Sequence, residues 1–428
     1  LYSGELTSAA LEDLNGTLLD LQSVIDAASL LSYDYFVENV DIIMVNDRSI
    51  NAFVAGGQAV YIHTGLIEAA DTANEVQGVI AHELGHLKAG HVPRRDEAFR
   101  DAGTAGTLAA IAALALAAGG APGDAAVGVM VGGTDQAKRK MLRSFRYDEA
   151  VADELGLDYL DKAGITSAGL EQMMRRMAAQ RALPESRQSQ YYQTHPDSAQ
   201  RLAVYQDHAR QDGNKSAPLS TNDTNLMNRL IAKLRAYSEP AYSILRQTAK
   251  TDSADAIYSH AIAQYRRGDL AAAITLMDQL CAANPNDPFY HEFRGDILLS
   301  MAKADAAAAA YETALRFRPD SPQILVNLGR ALIATNDKKR LSRAIEAISA
   351  AQRTEPKWAF IRRQLAIAYG RNGDIAAADL ALAEEAILLG DDQQAVRMAK
   401  RVLADGRLKD DLRNRANDIL FRFGKLAP

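Results

Sequence analysis

A mainly α-helical chain with one small β-sheet, closing in an α-solenoid, is the fold class this sequence predicts. Three observations carry the expectation. Alanine is abundant and aromatic residues are only 6% of the chain, a composition suited to close-packed helices. The β-prone runs are confined to one stretch, Val40 to His63. From about Ser253 onward, small residues and prolines recur with a period of 34. With 428 residues, 48% of them hydrophobic and 24% charged, the chain is globular and long enough for two or three domains. A net charge of −6 argues against a nucleic-acid partner, which calls for a basic face. The single cysteine, Cys281, excludes an internal disulfide and reads as a small buried apolar residue. The sequence opens on Leu1 with no signal-peptide pattern, so a processed form whose targeting segment is gone is expected.

Taken in order, "SAALEDLNGTLLDLQSVIDAASLL" spaces apolar residues three and four apart and predicts a helix within residues 1–35. "VDIIMVND" predicts a strand ending at a turn. Gly56 and Gly57 separate Ala52 to Ala55 from Gln58 to His63, which predicts a hairpin. A helix follows from about Asn74 to His91. Residues 102–133 carry one charge, Asp124, and are broken by "GGAPGD". The uninterrupted apolar stretch falls short of the roughly 20 residues a bilayer span needs. It reads as a buried helical hairpin, with a movable flap or a membrane-contacting loop as alternatives. Helices are expected near Ser144 to Ala163 and Ser167 to Arg181, then a polar loop leading into another helix. Residues 209–224 have linker composition, and the helix after them breaks near Pro240.

The periodic region lines up Pro285 with Pro319, and Ala261 with Gly295 and Gly329, each at a spacing of 34. Ala273 and Ala307 share another position, whereas Ala314 faces Leu280. A third unit places Ala344, Ala351 and Pro356 alike after an insertion of three residues, and a fourth has Ala366, Tyr369, Gly373 and Ala378. Small residues are needed where paired helices cross closely, and proline cannot continue a helix. The pattern resembles the tetratricopeptide repeat. Such arrays present a concave groove that binds segments of other proteins.

The chemistry concentrates in "IAHELGHLKAGH", Ile80 to His91. His82-Glu83-Leu84-Gly85-His86 fits H-E-x-x-H. Residues four apart on a helix lie about 40° apart around its axis, so both imidazoles face one point, a spacing suited to two ligands of one tetrahedral zinc. Glu83, one step round, is placed to act on a water. His91 lies nine residues past His82, roughly half a turn round the same axis, and is expected to face elsewhere. A catalytic zinc needs a third protein ligand. The position for a third histidine is Val92, which leaves a glutamate from a later helix. "YDEAVADELG" offers Glu149, with Asp153 one turn on to hold a ligand histidine's other nitrogen. Taken without the zinc motif, this stretch is an ordinary acidic helix.

Together, H-E-x-x-H and Glu149-Ala150-Val151-Ala152-Asp153 resemble the gluzincin peptidases grouped with HtpX, Oma and the CAAX prenyl endopeptidases. "INAFVAGG", "VYIHTGLI" and "THPDSAQR" resemble further segments of that group, and the repeats behind make the layout similar to its periplasmic BepA-like members. The resemblance implies a zincin-type metallopeptidase domain over residues 1–206, a linker and connecting helix over 207–252, and a tetratricopeptide repeat domain over 253–428. It implies one zinc ion per chain on His82, His86 and Glu149, with Glu83 as general base. It implies a role for His195 as a fourth ligand or in polarising the scissile carbonyl, and for Arg201 in buttressing the site or contacting an oxyanion. Gln58, Ala59, Val60, Tyr61 and Ile62 are expected to form an edge strand that pairs with an extended substrate, and His63 to be structural. The implied activity is cleavage of unfolded or misassembled proteins in envelope quality control, in the periplasm. Clients, and envelope assembly machinery, would bind in the repeat groove, with peripheral membrane contact through 102–133. The alternative is a latent protease acting as chaperone or adaptor.

Overall fold

The computed structural model describes residues 40–55, 59–91, 146–179, 195, 199–212, 221–250, 252–404 and 408–423. The expected first helix, the 102–133 hairpin and Gln58 lie outside them. The boundary between the chain's two compact units falls between Leu234 and Arg235.

The first unit holds a three-stranded sheet of β1 (Asp41–Val45), β2 (Ala52–Ala55) and β3 (Ala59–His63), in the order β1-β3-β2. β2 and β3 pair antiparallel, Ala52 opposite Ile62 and Ala55 opposite Ala59. β1 pairs with β3 in parallel, Asp41 opposite Ala59. The expectation of an edge strand at Ala59, Val60, Tyr61 and Ile62 is therefore wrong. β3 is the central strand, hydrogen-bonded on both sides, and its backbone has no edge to offer a peptide. Its burial agrees: Val60 and Ile62 are wholly enclosed, and Tyr61 stacks on Phe53 across the strand pair. Among the described residues, the outer edges belong to β1 and β2.

The chain passes directly from β3 into α1 (Thr64–Ala69) and then α2 (Ala73–Ala89). From Glu75 to His86 every residue of α2 is buried. A helix enclosed on all sides forces its polar members to find partners inside the protein, and His82, Glu83 and His86 are among them. β2 and α4 (Ala168–Ala178) pack against α2, and α5 (Ala199–Asp212) packs on α4. α4 buries Leu170, Met173, Met174 and Met177, the spacing of an apolar helix stripe. Residues 146–163 form α3. No described helix is long and apolar enough to cross a membrane.

α6 (Thr221–Ser238) contains the unit boundary and ends before Pro240, which precedes α7 (Ala241–Thr248). The second unit then stacks helix pairs: α8 (Ala254–Arg266) with α9 (Leu270–Ala283), α10 (Pro288–Ser300) with α11 (Ala304–Phe317), α12 (Pro322–Ala334) with α13 (Lys338–Thr354), α14 (Ala359–Asn372) with α15 (Ile375–Leu388), and α16 (Asp392–Leu403) with α17 (Asp410–Phe423). This is a tetratricopeptide-type α-solenoid. Its period has a steric cause. A Cβ at Gly295 would meet the Tyr311 ring at 2.6 Å, and one at Gly329 would meet Ile348 Cγ1 at 2.3 Å. Ala273, Ala307 and Ala344 are wholly buried at the matching position of the second helices. The inserted three residues lengthen α13 to 17 residues from the 14 of α9 and α11, close to one extra turn. Gly268, Ala302, Asn336 and Gly373 occupy equivalent turns in the left-handed region. Cys281 is buried, and burial pushes its thiol up to about 11, so it stays protonated and unreactive at neutral pH.

Candidate metal centre

Four side chains from three parts of the first unit converge. His82 and His86 come from α2, Glu149 from α3, and His195 from the segment before α5. His82 Nε2 and His86 Nε2 are 3.1 Å apart. Glu149 reaches both, Oε2 at 3.3 Å from His82 Nε2 and Oε1 at 3.3 Å from His86 Nε2. His195 Nδ1 lies 3.3 Å from His82 Nε2 and 3.1 Å from Glu149 Oε2. One donor atom from each of the four fits within 4.8 Å of the others, and all four residues are buried. Glu83 is not among the donors. It stands beside them, 3.5 Å from His195 Nε2.

Close approach of α3 to α2 makes this possible, and it depends on glycine. A Cβ on Gly85, between the two histidines, would lie 2.4 Å from the Ala152 carbonyl oxygen. A Cβ on Gly156 would lie 3.1 Å from His82 Cα. Both positions leave room for backbone to meet backbone, which brings Glu149 within reach.

Behind the donors, Asp153 Oδ1 is 2.9 Å from His82 Nδ1 and so orients that ring with Nε2 inward. Arg201 ties the two acidic residues of α3 together. Its Nε and Nη2 donate to Asp153 at 2.7 and 2.8 Å, and its Nη1 lies 3.0 Å from Glu149 Oε2. Tyr205, one turn further along α5, donates its hydroxyl to Asp153. The structure thus places Arg201 inside the protein as a support for two carboxylates.

His91 departs from expectation. The helical projection fails because α2 ends at Ala89, and Gly90 takes a left-handed conformation (φ 66°). The chain doubles back, and His91 Nδ1 comes to 2.8 Å from His86 Nδ1 instead of facing elsewhere. His91, Asp148, whose Oδ1 lies 3.6 Å from His91 Nε2, and Tyr205 are the site residues that sequence reasoning missed. Gly90 at the helix end was the available signal for the first, and the i, i+4 spacing of Arg201 and Tyr205 for the last. His63, as anticipated, stays apart and bonds Ser49 Oγ at 2.8 Å. The β3 residues Ala59 to Ile62 remain within the sheet.

The donor set, two imidazole nitrogens and a carboxylate with each ring backed through its far nitrogen, fits zinc. The electrostatics are those of a site that takes a cation. Burial pulls His82 down, but the hydrogen bonds and charges of Asp153 and Glu149 outweigh it and hold the ring up at about 9. Burial, aided by the neighbouring His82 and His195, holds His86 well below its usual value. Burial pushes Glu149 up, but His195, His82 and His86 bring it far below the usual carboxylate range. Asp153 is likewise depressed, burial being outweighed by Arg201 and His82.

A pH effect follows. At pH 7.5 His82 is protonated and His86 neutral, and a metal needs both rings neutral. Zinc binding is therefore expected to release about one proton per ion, from His82. The release should fade as the pH rises past about 9, so apparent affinity falls toward acid. Calorimetry in two buffers of different ionisation heat reads the proton count, and zero release at pH 7.5 would contradict this assignment.

Residues 19–209 match the model of peptidase family M48. The chain carries an M48 peptidase domain. A putative beta-barrel assembly-enhancing protease of Vibrio cholerae is 34% identical to the chain over 170 residues, which cover 39% of this chain and 34% of that one. The beta-barrel assembly-enhancing protease of Escherichia coli is 24% identical over 302 residues, covering 68% of this chain and 60% of that one. The chain thus spans between about a third and three-fifths of the length of these relatives. A solved structure of MamA is similar over 38% of this chain and 92% of its own, at 20% identity and a TM-score of 0.33.

Proposed function

We propose that the M48 domain is a zinc-dependent endopeptidase acting on unfolded or misassembled proteins of the cell envelope. The observation that carries this is the convergence of His82, His86 and Glu149 with Glu83 beside them. His82, His86 and Glu149 would hold the ion. Zinc supplies Lewis acidity, which polarises a carbonyl and makes water a nucleophile near neutral pH. Glu83 takes the water's proton and delivers it to the leaving amine. Asp153 and Arg201 keep the ligands oriented. An extended client pairs with the outer edge of β2 (Ala52–Ala55), the edge on the strand that packs against α2. The solenoid retains clients or assembly partners. A periplasmic location rests on the resemblance to BepA-like proteins.

One observation favours the second reading, a latent enzyme. His195 Nδ1 stands among the donors, and a fourth protein ligand would compete with the water that a catalytic zinc needs. In an active form His195 would leave the donor set and polarise the substrate carbonyl instead.

The test is zinc analysis of the purified protein together with casein digestion. About one zinc per chain, cleavage abolished by a chelator and restored by zinc, is the expected result. Stoichiometric zinc without cleavage of any unfolded substrate would favour the adaptor reading. Absence of zinc binding would overturn both.

A further inference from the structure

Each ligand histidine needs a partner for its outward nitrogen, because the tautomer decides which nitrogen meets the metal. For His82 that partner is Asp153. For His86 the structure offers a different arrangement. Its Nε2 faces His82 and Glu149, so its Nδ1 carries the hydrogen. That Nδ1 lies 2.8 Å from His91 Nδ1. Two protonated nitrogens cannot face each other at this distance, so His86 donates and His91 Nδ1 accepts. The His91 proton then sits on Nε2, which is 3.6 Å from Asp148 Oδ1. All three residues are buried, His86 and His91 at 1% exposure and Asp148 at 3%.

We propose that His91, steered by Asp148, is a positioning residue that holds the His86 ring in its metal-binding tautomer and orientation. The left-handed turn at Gly90 exists in this view to fold His91 back under the helix that carries His86. α3 then controls the centre at three points of contact. Asp148 acts through His91 on His86, Glu149 meets the ion directly, and Asp153 holds His82. The two rings are braced by unlike groups, one by a carboxylate and the other by a neutral imidazole with a carboxylate behind it. His86 is thereby the more weakly polarised ligand.

The inference rests on the zinc reading above, and the experiment separates the two. The full chain and the variants His91→Phe, His91→Gln and Asp148→Asn are loaded with zinc in competition with a chromophoric chelator. Parallel samples are loaded with cobalt for their visible spectra, and each metal-free protein is melted. His91→Phe is expected to bind zinc about 10–100-fold more weakly, with altered cobalt bands and an unchanged melting point without metal. His91→Gln keeps an acceptor oxygen and should recover most of the affinity. Wild-type affinity in His91→Phe, or an equal loss in His91→Gln, overturns the proposal. If His91→Phe does not fold, Asp148→Asn decides. Weakened zinc binding supports the relay, and unchanged binding refutes it. Failure of the wild-type chain to bind zinc would sink the zinc reading instead.

Discussion

Glu83→Gln is expected to keep its zinc and lose peptide hydrolysis. Glu83 is wholly buried and lies beside the four donor residues without being one of them. Glutamine keeps the volume and one acceptor oxygen of the side chain but cannot take up a proton at neutral pH. General base catalysis by a positioned group is worth roughly 10²–10⁴ in rate, and in the proposed mechanism the same group returns the proton to the amine. The turnover number should therefore fall by that factor, with substrate affinity and metal content near wild type. Steady-state cleavage of a fluorogenic casein, with zinc quantified on the same sample, measures both. Undiminished turnover would remove Glu83 from the mechanism. Zinc loss alongside activity would mean that the substitution had disturbed the ligands.

Arg201→Met is expected to destabilise the M48 domain more than a typical surface substitution does. The guanidinium is buried and bridges two buried carboxylates, Glu149 and Asp153, in contact with Tyr205. Removing the cation leaves both negative charges enclosed. Breaking a buried pair by deleting one partner costs about 3–5 kcal/mol, or a melting point lower by roughly 10 °C for a domain of this size. The sign is set by the carboxylates. Both are held ionised far below their ordinary range in the folded state, so the stability they contribute is present above the unfolded carboxylate range and lost toward acid. The variant should lose part of this acid dependence as well. Arg201→Lys should recover only a fraction, since a single ammonium cannot span both carboxylates. Calorimetric melting of variant and wild type at pH 7.5 and at about pH 3 tests the claim, and equal melting points of the two proteins at pH 7.5 would return Arg201 to a peripheral role.

Much of this centre could be read from residue order. His82, Glu83 and His86 are adjacent on a helix, and helical geometry alone turns the two rings to one side. The 34-residue period was visible because helix crossings demand small side chains at fixed places, as Gly295 and Gly329 show. What escaped depended on chain reversal or on tertiary neighbours. His91 was projected along a helix that had already ended at a left-handed glycine. The strand Ala59–His63 was recognisable, but its parallel pairing with Asp41–Val45 belongs to the fold and leaves no trace in local alternation. Tyr205 sits on a polar-looking helix, and the partners of its buried hydroxyl, Asp153 and Arg201, are met only in the folded protein.

The four donors come from three separate parts of the chain, His82 and His195 lying 113 residues apart. Bringing such distant segments together costs loop-closure entropy, and a metal that binds only the assembled arrangement repays it by mass action, about 4 kcal/mol at a thousandfold excess over its dissociation constant. Under the proposed zinc reading, the cation would be a clasp as much as a reagent. In a zinc-starved compartment the peptidase half would loosen while the solenoid, built from neighbour-to-neighbour stacking, stays folded.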